Sequence, residues 1–153
     1  MKYKFLISAY FLLISINSNA IPININYKND ITNLSQNQLC LDFYNRLLVS
    51  TNIIKFTNKS IDTKAKTRND VPSAIWDNVK QGIDYSSFIN DVTNIICDNY
   101  TVEYMTAAIA EYVNRPYIKI SSGKVKKEMY DSANNFTPVL EQQIQQILSD
   151  NGY

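Results

Sequence analysis

The chain has 153 residues, 45% hydrophobic and 19% charged, with Lys+Arg 15 against Asp+Glu 14, two cysteines and no histidine. That is enough apolar chain for one core, while a net charge of +1 argues against binding driven by bulk attraction to nucleic acid or anionic membrane. The absence of histidine removes Ser-His-Asp and Cys-His catalysis and His-ligated zinc, and two cysteines are too few for an all-cysteine zinc site or an ordinary iron–sulfur cluster, so no cofactor is expected.

Lys2 and Lys4 precede Phe5 to Ile16 (FLISAYFLLISI), broken only by Ser8 and Ser15. Ser18 and Ala20 then supply small residues at the −3 and −1 positions of a cut after Ala20, which completes the pattern of a secretory signal peptide. The run is shorter than the roughly 20 residues a spanning helix needs. Residues 1–20 therefore read as a cleaved signal, and the mature chain is expected to begin at Ile21. Loss of Lys2 and Lys4 turns the net charge from +1 to −1. No later segment is apolar enough to span a membrane, so a soluble periplasmic or secreted protein is expected. Residues 21–31, with Pro22, read as a mobile arm, and residues 32–150 as one helical domain.

From Thr32, Leu34, Leu41 and Leu48 recur every seven residues, and Leu39, Phe43 and Leu47 every four. These spacings predict one helix apolar on two opposite faces. Ile53, Ile54 and Ile61 continue through the polar stretch 57–70, which reads equally as a solvated helix or a loose connection. Pro72 suits the start of a helix bearing Ile75, Trp76, Val79 and Ile83, with Gly82 placed to end it in the left-handed conformation. Asp84 is positioned to cap the next helix, whose stripe is Tyr85, Phe88, Ile89, Val92, Ile95 and Ile96. Thr101 caps another, carrying Tyr104, Met105, Ala108, Ile109, Tyr112 and Val113, which Pro116 should halt. Residues 117–123 read as a short extended turn. Val125, Met129 and Phe136 outline a helix ending near Asn134-Asn135, and Thr137-Pro138 opens a last one with Leu140, Ile144, Ile147 and Leu148. The expected fold is an all-α, single-domain bundle of five to seven short helices.

In an exported chain two thiols suggest a disulfide between Cys40 and Cys97; the alternative is two independent, inert thiols. Cys97 lies about 140° from the centre of its helix's apolar stripe by the helical period, so the bond requires a partner helix on that flank. Asp70, Asp77, Asp84, Asp91 and Asp98 recur every seven residues. Pro72 and Gly82 divide that row, and a heptad step of roughly 10 Å is too long for shared coordination of one ion. Glu103 and Glu111 stand about 12 Å apart along one helix, beyond the roughly 5–9.5 Å of paired glycosidase carboxylates. Among eleven tyrosines, Tyr85, Tyr104 and Tyr112 fall on core stripes, while Tyr100, Tyr117 and Tyr130 are candidates to line a groove. Lys119, Lys124, Lys126 and Lys127 form a local basic cluster offset by Glu128 and Asp131. Tyr100, Tyr112, Tyr117 and Lys119 are taken together as the candidate binding surface, with no catalytic, cofactor or metal residues assigned.

Residues 72–130 resemble a family of exported bacterial helical proteins called domain of unknown function 2059. The resembling elements are Pro72 to Val79 (PSAIWDNV), the acid-flanked helix Ile83 to Ile96, Asn99 to Glu103 (NYTVE), and Ala110 to Pro116 (AEYVNRP) followed by a lysine-bearing helix. The resemblance implies an exported all-α fold and no activity. The expected function is a non-enzymatic binding module in the bacterial periplasm, taking a protein partner in the envelope and no nucleic acid. The alternatives are a secreted inhibitor or immunity-type protein, or a carboxylate-dependent hydrolase.

Overall fold

The structure is a computed structural model that describes residues 35–153. The expected signal peptide, the arm and Leu34 lie outside the described residues. Six helices follow in order: α1 Gln36–Asn45, α2 Leu48–Ala65, α3 Ser73–Gly82, α4 Ser86–Asn99, α5 Val102–Glu111 and α6 Gly123–Asp150. Among the described residues the only β pairing is an isolated parallel bridge between Leu47 and Ile118. The fold is all-α. No helix of the described residues is long and apolar enough to cross a membrane.

Helix α1 opens with a capping box: the Ser35 side chain accepts from the Gln38 N–H, and the Gln38 side chain accepts from the Ser35 N–H, so two orphan donors are satisfied reciprocally. Its buried face is Leu39, Cys40, Phe43 and Tyr44. The expected second apolar face is not used, for Leu41 is 41% exposed. Nor does α1 run on to Leu48. At Leu47 the backbone becomes extended, because the Ile118 N–H donates to the Arg46 carbonyl at 2.8 Å and buries both Leu47 and Ile118. A partner 71 positions away in the chain, 118 against 47, takes the backbone out of the helix.

The open stretch after residue 50 is helix α2. Ile53, Thr57 and Ile61 form its buried stripe at four-residue spacing, the same-face period of a helix, while Ile54 faces outward. Helix α3 buries Trp76 and Val79. The expected left-handed ending at Gly82 is not found. Gly82 is the last helical residue, Ile83 is extended, and the only positive-φ residue described is Gly152. Gly82 instead gives room: a Cβ there would lie 2.9 Å from Ile147 Cδ1. Asp84 is not the N-cap of α4, a position that Tyr85 takes; it stands one residue ahead, where its carboxylate accepts the Ser86 N–H and hydroxyl, both at 2.8 Å. Phe88, Val92 and Ile96 are the buried stripe of α4.

Thr101 caps α5 by accepting the Tyr104 N–H at 3.2 Å. The helix ends at Glu111, well before Pro116. A turn closed by the Arg115 N–H on the Tyr112 carbonyl follows, and Arg115 is the residue that a following proline keeps out of helical geometry. The two expected C-terminal helices are one. Helix α6 runs 28 residues straight through Asn134, Asn135 and Pro138. A proline in mid-helix costs about 3 kcal/mol or more through its missing N–H and its clash with the preceding turn. Against that stand Val125, Met129, Ala133, Phe136, Leu140, Ile144 and Leu148, all buried on one face. Each large apolar side chain is worth about 1.5–3 kcal/mol, and breaking the helix at Pro138 would turn half of them away from the core. Asn134, whose carbonyl loses its donor, is exposed to water. Burial wins.

The core is one continuous cluster drawn from all six helices. Helix α1 packs on α4, α5 and the next helix α2; α4 packs on α6, α2 on α3, and α3 on α6, so α6 joins α3 to α4.

Candidate functional site

Cys40 and Cys97 form a disulfide with Cα atoms 5.6 Å apart and a sequence separation of 57. Cys97 does lie off the Phe88–Val92–Ile96 stripe, and α1 is the helix on that flank. Cys40 is fully buried and Cys97 half-buried.

The four residues of the candidate binding surface are split by α5. Tyr100 precedes its first turn, whereas Tyr112 follows its last, some 18 Å further along at 1.5 Å per residue. At the first end, the Tyr100 and Tyr104 rings are stacked with centroids 4.8 Å apart and planes 13° from parallel. Phe43 of α1 lies beneath, tilted at 5.3 Å from Tyr100 and 6.3 Å from Tyr104. Tyr104 is 43% exposed and its neighbour Val102 44%, so the stack presents an aromatic ledge with a buried root. Burial, and secondarily Tyr104, push the Tyr100 hydroxyl up from its ordinary value. Next to Tyr100, the Asn99 side chain donates to Glu128 at 2.9 Å and accepts from Lys124 at 2.8 Å, which ties the root of the ledge to α6.

At the other end of α5 the Arg115 guanidinium sits 4.8 Å over the Tyr112 ring and pairs with Glu111 at 3.4 Å. Tyr117 is half-buried and Lys119 exposed on the following connection. Tyr130 is half-buried on α6. The basic cluster is partly spent locally, with Lys127 on Asp131 at 2.6 Å and Lys124 on Glu128 at 3.6 Å. Of the two ends, only the first carries stacked rings, and of these Tyr104 is exposed and Tyr100 half-buried.

The spacing of Tyr104 puts it on the core stripe, and the structure corrects that. It stands at the edge of the stripe one residue before Met105, which is fully buried. Nothing in the period marks which edge of a stripe faces water. Gln143 is a second residue that spacing does not reveal. Its side-chain amide accepts the Asp84 N–H at 2.7 Å and donates to the Asp84 carbonyl at 3.0 Å, the way a neighbouring strand would.

The carboxylates take separate posts. Glu103 is held below the usual carboxylate range by its own backbone N–H and the Thr101 hydroxyl, while Glu111 faces Arg115. Asp70 pairs with Arg68 at 2.8 Å and Asp77 approaches Lys80 at 3.7 Å. Asp84 is lowered by the Ser86 N–H and hydroxyl that it accepts. No group of three or more Cys, Asp or Glu among the described residues is placed to hold a metal ion. The carboxyls of Asp70, Asp84 and Glu103 are pushed down, and Lys80, Lys127 and the buried tyrosines are pushed up. Each of these shifts leads away from neutral pH.

Compared with protein-family models, curated proteins and solved structures, the chain matches none.

Proposed function

We propose that this protein is an exported, non-enzymatic helical module that binds a protein partner in the bacterial envelope through the Tyr100–Tyr104 ledge. The observation that carries the reading is the stacked aromatic pair, Tyr104 exposed and Tyr100 half-buried, on a buried Phe43 root. Tyrosines held rigid in this way offer large contact area at small entropic cost and are favoured at recognition surfaces. The disulfide supports export, because such bonds persist in oxidising compartments, and the signal-like residues 1–20 point the same way. Kinship with the family called domain of unknown function 2059 is proposed on residues 72–130 alone.

A photo-crosslinking residue in place of Tyr104, introduced in the native cell, tests the reading. A discrete protein adduct is expected at that position and none at exposed Ser87 on α4. Equal labelling at both positions, or none at Tyr104, overturns the ledge as a docking surface. N-terminal sequencing tests export separately: Ile21 is expected, and intact Met1 on membrane-bound material refutes cleavage.

A further inference from the structure

The α2–α3 hairpin meets the α4–α6 pair along a seam where α3 packs on α6. Side-chain polar atoms buried without a hydrogen-bond partner include those of Asn58 and Ser60 on α2, Trp76 on α3, Thr93 on α4 and Ser132 on α6. Tyr85, in the α3–α4 connection, has its ring 5.9 Å from Phe136. A buried polar atom that gives up water without gaining a partner weakens the interface that encloses it.

The interhelical ties sort by half of the molecule. On one side are the Cys40–Cys97 bond, Phe43 against Tyr100 and Tyr104, Asn99 with Glu128 and Lys124, Phe88 against Phe136, and Ile118 on Arg46. On the other are Lys64 with Glu141 at 2.8 Å, Lys80 with Asp62 at 2.6 Å, and Ile147 against Gly82. Gln143, clasping Asp84 just ahead of α4, is the tie that crosses between them. Helix α6 belongs to both. Up to Phe136 its partners lie on or beside α4, and from Glu141 onward they lie on α2, at the end of α3 and in the α3–α4 connection. Pro138, with no N–H for the Asn134 carbonyl, stands between the two sets. The helix is therefore weakest in its own ladder where its allegiance changes.

The disulfide encloses the same division. Both α2 and α3 lie within the loop it closes between Cys40 on α1 and Cys97 on α4. The chain leaves the clamped half for the hairpin and returns to it, and the bond keeps the two helices at its root together.

We propose that α2, α3 and the part of α6 beyond Pro138 open together as one cooperative unit, while α1, α4, α5 and the first part of α6 remain packed. Such sub-global opening follows when the ties within each part are stronger than those across the seam. It bares the inner faces of α3 and α6 at Trp76, Val79, Ile144 and Leu148 and leaves the Tyr100–Tyr104 ledge intact. The opening unit and the docking surface thus lie on different halves, and one can change without disturbing the other.

Native-state hydrogen exchange on the oxidised full mature chain, across sub-denaturing guanidinium, tests this. Amides of α2, α3 and residues 141–148 are expected to share one opening, exchanging on the order of tenfold or more faster than those of Val92, Ile96, Met105 and Met129. Pro138→Ala, at an exposed position, should slow that shared opening about tenfold by restoring the helix ladder, with α5 unchanged. Replacing both cysteines by serine should move α1 into the fast unit. A single opening rate common to all helices, or α1 or α5 opening ahead of α2 and α3, overturns the proposal. So does a Pro138→Ala variant whose hairpin exchanges as before.

Discussion

The two halves of this molecule bury similar kinds of apolar side chain and hold them by different means. The half built of α1, α4, α5 and the start of α6 carries a covalent cross-link and a three-ring aromatic cluster. The half built of α2, α3 and the end of α6 is held by ion pairs and a proline-interrupted helix. Exposed and part-exposed ion pairs contribute little beside a cross-link that restricts the unfolded chain. Apolar content alone does not say which part of a fold is firm.

The sharpest way to break this comparison is in the hairpin core. Trp76→Ala should cost about 3–5 kcal/mol, the range for emptying an enclosed aromatic site, since its ring is buried on α3. Urea unfolding gives the number, and exchange should show the loss concentrated in α2 and α3. A cost below about 1 kcal/mol would place the ring at the surface. On the clamped side, removing the disulfide by Cys40→Ser with Cys97→Ser should cost about 4 kcal/mol, from the chain entropy of a loop of this length. The intact protein should show no free thiol on unfolding without reductant. Helix content at room temperature should survive reduction.

Alkaline pH probes the same side more gently. Burial pushes the Tyr44 hydroxyl up to about 12 from 10.0, so the folded state keeps this proton after the unfolded chain has lost it. Stability is fully present below pH 10, falls as pH rises from about 10, and has lost about 2–3 kcal/mol once pH exceeds 12. Tyr44→Phe should flatten most of that slope in unfolding curves taken between those values. Thr101→Ala, which removes the α5 cap, should cost about 1 kcal/mol. The smallest effect is expected at Gly82→Ala. The new methyl needs only the far end of Ile147 to shift, and the gain in helix propensity offsets that, leaving stability within about 1 kcal/mol of the parent.

Much of the fold is legible in the order of residues. The stripe on α4, the cap at Thr101 and the all-α class follow from period and side-chain chemistry. The disulfide was expected from compartment and thiol count, although the geometry on α4 argued against an easy pairing. What misled the reading is equally specific. Thr137-Pro138 has the signature of a helix start, yet it lies inside α6 because seven buried side chains outweigh the lost hydrogen bond. Leu34 to Leu48 repeats like one helix, yet Ile118 draws Leu47 into a bridge. The candidate surface was legible only at Tyr100. Its companion Tyr104 has a core residue's spacing, and Tyr112 and Tyr117 belong to the other end of α5.

The sequence by itself determined the helical class, the positions of most buried stripes, and the pair of thiols available for a cross-link, because these depend on local period and on counting. Only the tertiary structure decided where α1 stops, that α6 does not stop, and which edge of the α5 stripe turns a tyrosine to solvent. Those outcomes depend on contacts between residues far apart in the chain, whose burial energy exceeds the local preference of a proline or a leucine repeat.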